Sequence, residues 1–222
     1  MDVQIVDYSM GNLRSVQKAI QRLGIDCGIA SDPDRLSAAD VMILPGVGAF
    51  EDAINELRRS GLIAPVLDHL RRDRPFLGIC LGLQLLVDRS DEGGDHEGLG
   101  VIAGRCVRFD VRPDPHRPGS DRKVPHMGWN QVAKRNDADT LVGVRDEDYF
   151  YFVHSHHVVA DDPDLVSLTC EYGGQTVTAA VSRGRLLATQ FHPEKSQAAG
   201  RRLLEGFFSS VDQAVASPRA IS

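Results

Sequence analysis

The chain has 222 residues, of which 42% are hydrophobic and 25% are charged, a composition typical of a globular protein with a full core. Its net charge of −6, without a dense basic patch, argues against nucleic acid as a partner. No apolar run approaches the roughly 20 residues of a membrane span, and no secretory segment opens the sequence. The four cysteines lie far apart without paired spacing, which favours free thiols in a cytoplasmic protein.

The first half of the chain alternates between predicted strands and helices. Apolar runs predict strands at residues 3–6, 26–30 and 41–44 and in the run that ends at Cys80, and helical spacing predicts helices at 13–23, 52–59 and 63–72. This alternation is typical of a parallel, doubly wound sheet, in which ligands bind beyond the carboxyl ends of the strands. Gly46, Gly48 and Cys80 all lie at such ends, so we expect them to share one site.

Residues 76–86 hold the central pattern of the chain. An apolar strand stops at a Gly-x-Cys-x-Gly sequence around Cys80, and apolar residues resume at helical spacing at Leu83, Leu86 and Val87. A strand that turns at once into a helix exposes the residue at the turn, and the helix N-terminus favours a thiolate there. The alternative is a small buried cysteine between a strand and a helix, and this stretch alone leaves both interpretations open.

The second half is predicted to add an antiparallel β region. We expect a polar loop at residues 88–100, a strand at 105–111, a proline-rich loop at 112–123, β-like runs at 129–133, 149–159, 166–172, 176–182 and 186–191, and a helix at 198–211. The predicted fold class is therefore α/β, with a mostly parallel, doubly wound central sheet flanked by helices. We expect a single domain over residues 1–212 and a disordered tail over 213–222.

A second catalytic pattern follows the last predicted strand, at His192-Pro193-Glu194. A cysteine nucleophile needs a base that takes its proton, and the base needs an orienting partner. His192 and Glu194 can supply both. Alone, His-Pro-Glu is more often a surface turn, but beside the pattern at Cys80 it favours a catalytic triad.

Together these motifs resemble those of the class I glutamine amidotransferases. Four further stretches, DYSMGN at 7–12, PGVGAF at 45–50, PHMGWN at 125–130 and FVHS at 152–155, narrow the resemblance to the glutaminase subunits of imidazole glycerol phosphate synthase, in histidine biosynthesis. The resemblance extends from Val3 to about Phe208.

The resemblance implies hydrolysis of L-glutamine through a cysteinyl thioester, with no cofactor and no metal. Cys80 would be the nucleophile, His192 the base and Glu194 its orienting partner. The backbone N–H of Leu81, one residue past the nucleophile, is placed to bind the oxyanion, and the resemblance adds the N–H of Val47. The residues implied to hold glutamine are Gly48, Gln84, Ser155 and His156, the last two through their backbone. For Gln84, an amide on the helix surface is the alternative.

The resemblance also implies a partner, the (β/α)8 cyclase subunit of imidazole glycerol phosphate synthase, which uses the ammonia to make imidazole glycerol phosphate and AICAR. The interface candidates are Asn12, Met127, Trp129 and Lys195, although Lys195 has an ordinary solvated lysine as its alternative.

His156 departs from the family pattern, because a tyrosine often stands there. His154 and His156 fall on one face of a predicted strand at metal-ligand spacing, but the cysteines are remote in sequence, so we expect no metal site.

Two other functions stay open. The chain could be an amidotransferase subunit for another acceptor, against which the Gly-Val-Gly and Met-Gly-Trp-Asn stretches argue. It could also be a non-enzymatic interaction subunit on the same fold, against which the intact Cys80, His192 and Glu194 argue.

Overall fold

The computed structural model describes residues 1–110 and 123–216, with side chains up to Val211. Residue 111, the predicted proline-rich loop up to residue 122 and residues 217–222 of the predicted tail lie outside the described residues. Helix α6 (Gln197–Ala216) continues into the start of that tail. Within the described ranges, no helix combines the length and the apolar content that a membrane span requires.

The first half of the chain alternates between strands and helices, as predicted, and the second half is mostly β structure. The other helices are α1 (Leu13–Gln21), α2 (Pro33–Ala38), α3 (Phe50–Arg59), α4 (Ile63–Arg71) and α5 (Leu81–Gln84). The strands are β1 (Val3–Val6), β2 (Gly28–Ala30), β3 (Val41–Gly46), β4 (Phe76–Cys80), β5 (Val87–Ser90), β6 (His96–Glu97), β7 (Ile102–Arg108), β8 (His126–Gln131), β9 (Ala133–Lys134), β10 (Tyr149–His154), β11 (His156–Ala160), β12 (Val166–Tyr172), β13 (Gln175–Arg183) and β14 (Leu186–Thr189).

Eight of these strands form the central sheet, in the order β2-β1-β3-β4-β14-β13-β12-β9. The strands from β2 to β14 in this order are parallel, and those from β14 to β9 are antiparallel. This arrangement confirms the predicted α/β class, with a doubly wound parallel half and an antiparallel addition. Smaller sheets, β10-β8 and β11-β7-β5-β6, extend the antiparallel region.

Helices cover both faces of the central sheet, which explains the continuous apolar runs of its inner strands. Side chains alternate between the faces of a strand. In β3, Val41 and Ile43 pack in one core with buried residues of α1 and α6. Met42 and Leu44 pack in a second core with buried residues of α3 and α4.

The structure differs from the sequence-based expectations in the helix after Cys80, in the run at 149–159 and in an additional helix. The helix after Cys80 lasts only for α5, and Val87, predicted at helical spacing, begins a strand. Residues 88–90 and 96–97 are β structure where a loop was predicted. The run at 149–159 divides at Ser155, because β10 pairs with β8 whereas β11 pairs with β7. Helix α2 was not predicted at all.

Candidate active site

The candidate site lies where three neighbouring parallel strands end. Gly46 of β3 is the register partner of Cys80 at the end of β4, and Thr189 of β14 is the partner of Ile79. His192 follows β14 in the chain. The three carboxyl ends therefore bring together the Pro-Gly-Val-Gly segment, the cysteine and the histidine, as the sequence predicts.

Cys80 occupies a backbone conformation that few side chains adopt. Its φ is +56°, and its side chain is buried. The flanking glycines allow the turn, since a Cβ on Gly82 would collide with the carbonyl of Leu44, and one on Gly78 would lie 2.9 Å from the Cβ of Ala188. The turn is thus the strained strand-to-helix elbow that the spacing predicts.

Buried polar groups surround the Cys80 sulfur. Sγ lies 3.9 Å from the carbonyl oxygen of Val153, and Nε2 of Gln190 lies 3.8 Å from Sγ as a donor. The imidazole of His192 lies close enough to the thiol for Cys80 to raise the pKa of the ring. The sulfur is therefore placed between a base and an amide donor.

His192 is oriented by Glu194. Nδ1 of His192 lies 2.8 Å from Oε1 of Glu194, and both side chains are almost fully buried. Nε2 is buried and makes no hydrogen bond of standard geometry with the described residues, so it is available to a thiol proton. Burial alone would lower the pKa of His192, but hydrogen bonds and negative charge from Cys80 and Glu194 outweigh it and raise the pKa to about 9.

Ser196 fixes the backbone of His192, a role that sequence reasoning missed. The N–H of His192 donates to the carbonyl of Tyr151 at 2.9 Å. The Ser196 hydroxyl donates to the His192 carbonyl at 2.6 Å and accepts from the Tyr151 N–H at 3.0 Å. A serine four residues after a catalytic histidine is the only sequence signal of this link.

The two predicted oxyanion donors belong to segments next to Cys80, since Leu81 follows it in the chain and Val47 follows its register partner Gly46. Leu81 is the first residue of α5 and is buried, whereas Val47 directly follows β3 and is 41% exposed. Gly48 has a φ of +104°, which strongly favours glycine. A Cβ there would also lie 2.9 Å from Cε of Met10.

Gln84 is buried, so the alternative of a surface amide was wrong. Its Nε2 donates to the carbonyl of His156 at 2.9 Å and to Oε1 of Gln190 at 3.3 Å. Because Gln190 in turn reaches Cys80, a chain of two amides connects α5 with the sulfur. The carbonyl of Ser155 accepts from the N–H of Phe109, so this segment is also firmly held.

Glu92 is a second residue that sequence reasoning missed, because it lies in the segment predicted as a polar loop. It accepts from the N–H of Phe50 at 2.9 Å and pairs with Nδ1 of His156 at 3.3 Å. Burial would raise the pKa of Glu92, but the hydrogen bonds from His156 and Phe50 outweigh it and hold the pKa below its usual range. Glu92 thus places a carboxylate between Phe50, at the start of α3, and His156, whose carbonyl accepts from Gln84.

His154 and His156 do not face a common ligand. Nδ1 of His154 binds the backbone carbonyl of His156 at 2.8 Å, and its Nε2 lies 3.0 Å from Nδ1 of His126. Burial, with a smaller effect of neighbouring histidines, lowers the pKa of His154 to about 3, so its ring is neutral. Among the described residues, no cluster of His, Cys, Asp and Glu side chains has an arrangement that could hold a metal ion.

The interface candidates are exposed. Met127 is 63% and Trp129 45% exposed on β8, where Trp129 pairs in register with Tyr151. Nζ of Lys195 lies 5.7 Å from the centre of the same Tyr151 ring. Asn12 precedes α1, and its side chain makes no capping hydrogen bond to that helix. Two of the four candidates, Trp129 and Lys195, therefore lie against Tyr151.

Comparisons with known proteins show the family of this chain. Residues 4–211 match the family described as glutamine amidotransferase class-I. The imidazole glycerol phosphate synthase subunit HisH of Rhodopirellula baltica is 53% identical over 205 residues, which cover 92% of this chain and 96% of the relative. The subunit of the same name from Syntrophotalea carbinolica is 48% identical over 205 residues, which cover 92% and 98%.

Solved structures share the fold at low sequence identity. A crystal structure of a glutamine amidotransferase superposes with a TM-score of 0.71 at 18% identity, over 96% of this chain and 100% of that chain. The structure of PurLQS from Thermotoga maritima gives a TM-score of 0.70 at 17% identity, over 96% and 98%.

The chain belongs to the class-I glutamine amidotransferase family and, within it, to the HisH subunits of imidazole glycerol phosphate synthase.

Proposed function

We propose that this chain is the glutaminase subunit of an imidazole glycerol phosphate synthase and that it hydrolyses L-glutamine to glutamate and ammonia. One observation carries the proposal. Cys80, the His192–Glu194 pair and the Pro-Gly-Val-Gly segment meet at the carboxyl ends of adjacent parallel strands. This is the combination of nucleophile, oriented base and backbone donors that acyl transfer needs.

In the first step, the Cys80 sulfur attacks the side-chain amide carbon of glutamine as His192 holds the thiol proton. The carbonyl oxygen gains negative charge, and the N–H groups of Leu81 and Val47 stabilise it. The imidazolium then gives its proton to the leaving nitrogen, so ammonia departs and a thioester remains. Glu194 supports the charged imidazole through the contact at Nδ1.

In the second step, a water molecule attacks the thioester carbon. Nε2 of His192 accepts a proton from that water, and the same backbone donors stabilise the new oxyanion. When the tetrahedral intermediate collapses, the carbon–sulfur bond breaks, the proton returns to the sulfur, and glutamate leaves.

The α-amino and α-carboxylate groups of glutamine are bound by residues beside Cys80. Gly48, Gln84 and the backbone of Ser155 and His156 are the proposed contacts. The carboxylate of Glu92, half-buried and fixed by the N–H of Phe50, suits the α-ammonium group of the substrate.

The partner is a (β/α)8 cyclase subunit that incorporates the ammonia into imidazole glycerol phosphate, with AICAR as the second product. The aromatic ring of Trp129 and the thioether of Met127 are both exposed on β8, and Lys195 lies over Tyr151 of the neighbouring strand, which supports a docking surface there. Asn12 is the fourth proposed contact. We infer that the complex acts in the cytoplasm.

The test uses the complex of this chain with its cyclase subunit, supplied with either glutamine or an ammonium salt. In the Cys80→Ala variant we expect glutamate release to fall to background, because no other side chain at the elbow can form the thioester. Ammonium-supported synthesis should stay within about twofold of the wild type, since the cyclase is intact.

Cys170→Ala is the matched control, because Cys170 is also a free, buried cysteine. We expect full glutamine-dependent activity from it. Near-normal glutamate release by Cys80→Ala would contradict the assignment of the nucleophile. A wild-type complex that releases glutamate without making imidazole glycerol phosphate would show that the acceptor is a different one.

A further inference from the structure

The loop at residues 7–12 packs directly on the segment that carries the second oxyanion donor. Tyr8, which follows β1, is buried, and its hydroxyl donates to the carbonyl of Pro45 at 2.9 Å. Met10 reaches Gly48, since a Cβ on Gly48 would lie 2.9 Å from its Cε. The segment from Pro45 to Gly48 is therefore held by a side chain at each end.

Gly46 shows how closely the Tyr8 hydroxyl approaches the oxyanion site. A Cβ on Gly46 would collide with that hydroxyl and would lie 2.8 Å from the Cβ of Leu81. The phenol thus lies where the two donor-bearing segments, at Val47 and Leu81, come together. Gly46 is also the register partner of Cys80, so this point is next to the nucleophile.

The Tyr8 hydroxyl is a permanent donor. Burial, and then the negative charge at Cys80, raise the pKa of this phenol far above its usual range. The hydroxyl therefore remains protonated at any pH at which the enzyme works, and the Pro45 carbonyl keeps its partner.

We propose that Tyr8 is a positioning residue for glutamine hydrolysis, because its hydrogen bond to the Pro45 carbonyl fixes the Pro45–Gly46 peptide in the place from which the next peptide can turn its Val47 N–H to the oxyanion. The inference rests on the proposed function. Tyr8 acts through the backbone of β3, because its hydroxyl donates to the Pro45 carbonyl. Preorganised donors contribute to catalysis because they need not reorganise as charge develops.

The test compares Tyr8→Phe with the wild type in the complex with the cyclase. This change removes the hydroxyl and keeps the buried ring. We expect kcat for glutamine to fall at least about tenfold, part of the 10²–10³ that one oxyanion donor contributes, and KM to change less than about twofold. Ammonium-supported synthesis should be unchanged.

Binding of a γ-aldehyde analogue of glutamine is a second measurement. It would not change if Tyr8 only stabilised the fold. Cys80 adds to the aldehyde, and the resulting oxygen occupies the oxyanion position. Binding of the aldehyde to Tyr8→Phe should weaken by the same factor as kcat/KM, whereas binding of glutamate should not change.

Tyr172→Phe is the matched control, since the Tyr172 hydroxyl also donates to a carbonyl, that of Lys123, at 2.6 Å. It should keep full glutamine turnover. Equal kcat in Tyr8→Phe and the wild type would overturn the role of Tyr8 but not the proposed function. A rise in KM at constant kcat in Tyr8→Phe, or a loss of turnover in Tyr172→Phe as large as that in Tyr8→Phe, would do the same. A wild-type complex that does not hydrolyse glutamine would overturn the proposed function and this inference with it.

Discussion

At the scale of single residues, the chemistry depends on how Glu194 sets the charge of His192. The carboxylate contacts Nδ1 at 2.8 Å in a buried setting, where charge interactions are stronger than in water. The same contact fixes which ring nitrogen faces the sulfur. The pair therefore controls both the geometry and the protonation of the base.

Glu194→Gln should lower kcat for glutamine by about 10²-fold, less than Cys80→Ala, because an orienting residue usually matters less than the nucleophile. The imidazolium must protonate the leaving ammonia, so activity is present below the pKa of His192 and is lost as pH rises through about 9. Glu194 raises that pKa. Its loss should therefore move the alkaline limb of the kcat/KM profile to lower pH.

The measurement is a pH profile of glutamate release by the complex. Glu205→Gln is the control, since Glu205 carries an exposed carboxylate paired with Arg201 on α6. An alkaline limb that stays in place in Glu194→Gln would argue against charge stabilisation by Glu194. A loss as complete as that of Cys80→Ala, in a folded protein, would argue against a purely orienting role.

At the scale of elements, the segment after β3 is the part of the site that a small backbone change disturbs most. Gly48 has a φ of +104°, and an alanine there is strained by about 1–3 kcal/mol. Met10 also leaves little space for its methyl group. We expect Gly48→Ala to lower glutamine turnover at least about tenfold by shifting the Val47 donor, and to leave ammonium-supported synthesis unchanged.

Gly174→Ala separates this effect from general instability. Gly174 has a φ of +77° in the turn between β12 and β13, and a Cβ there would meet no atom within 4 Å. Thermal unfolding should show a loss of stability in both variants, whereas glutamine turnover should fall only in Gly48→Ala. A Gly48→Ala chain that is active without its partner would show instead that rigidity alone sets the peptide orientation.

Much of the architecture around the site could be predicted from the sequence, because it depends on local patterns. Strands β3 and β4 are apolar runs, and they end at Gly46 and at the catalytic Cys80. The elbow at Cys80 and the His192–Glu194 pair could be found for the same reason, since their spacing is fixed by the chemistry.

The elements that were missed depend on contacts distant in sequence or on a signal that was overlooked. Val87 starts a strand because β7 pairs with it, and no local pattern shows that pairing. Glu92 reaches the site through the fold and not through a motif, whereas Tyr8 lies in the DYSMGN stretch, which gave no sign of its bond to Pro45. Helix α2 did have a signal, because Asp32 accepts from the N–H groups of Asp34 and Arg35 and Pro33 follows it, a common helix start.

At the scale of the whole molecule, the proposed docking surface and the oxyanion segment are connected through short paths. Asn12 ends the loop whose Tyr8 and Met10 contact the Pro45–Gly48 stretch. Lys195 follows Glu194 in the chain, and its side chain lies over Tyr151, whose carbonyl holds the His192 N–H. A partner that binds Asn12 and Lys195 can therefore change the position of both the Pro45–Gly48 stretch and His192.

Free glutaminase activity would waste glutamine, so we expect the isolated chain to be nearly inactive. The glycines around Val47 let its peptide plane rotate at small steric cost. A carbonyl that faces the oxyanion site repels the developing charge, whereas an N–H stabilises it. A cyclase that binds only the N–H form, most strongly with its acceptor substrate bound, should raise glutamine turnover by at least about 10²-fold through population shift.

The measurement is glutamate release by the chain alone, with the cyclase, and with the cyclase plus its acceptor substrate. Trp129→Ala should weaken the activation by reducing affinity for the cyclase, because exposed aromatic residues often carry much of the binding energy at an interface. Val159→Ala is the control, since Val159 is 47% exposed on β11, in a different sheet from Trp129. Equal turnover in all three states would refute control of the Val47 peptide by the cyclase. If no partner changes the orientation of that peptide, the rate must be the same in each state.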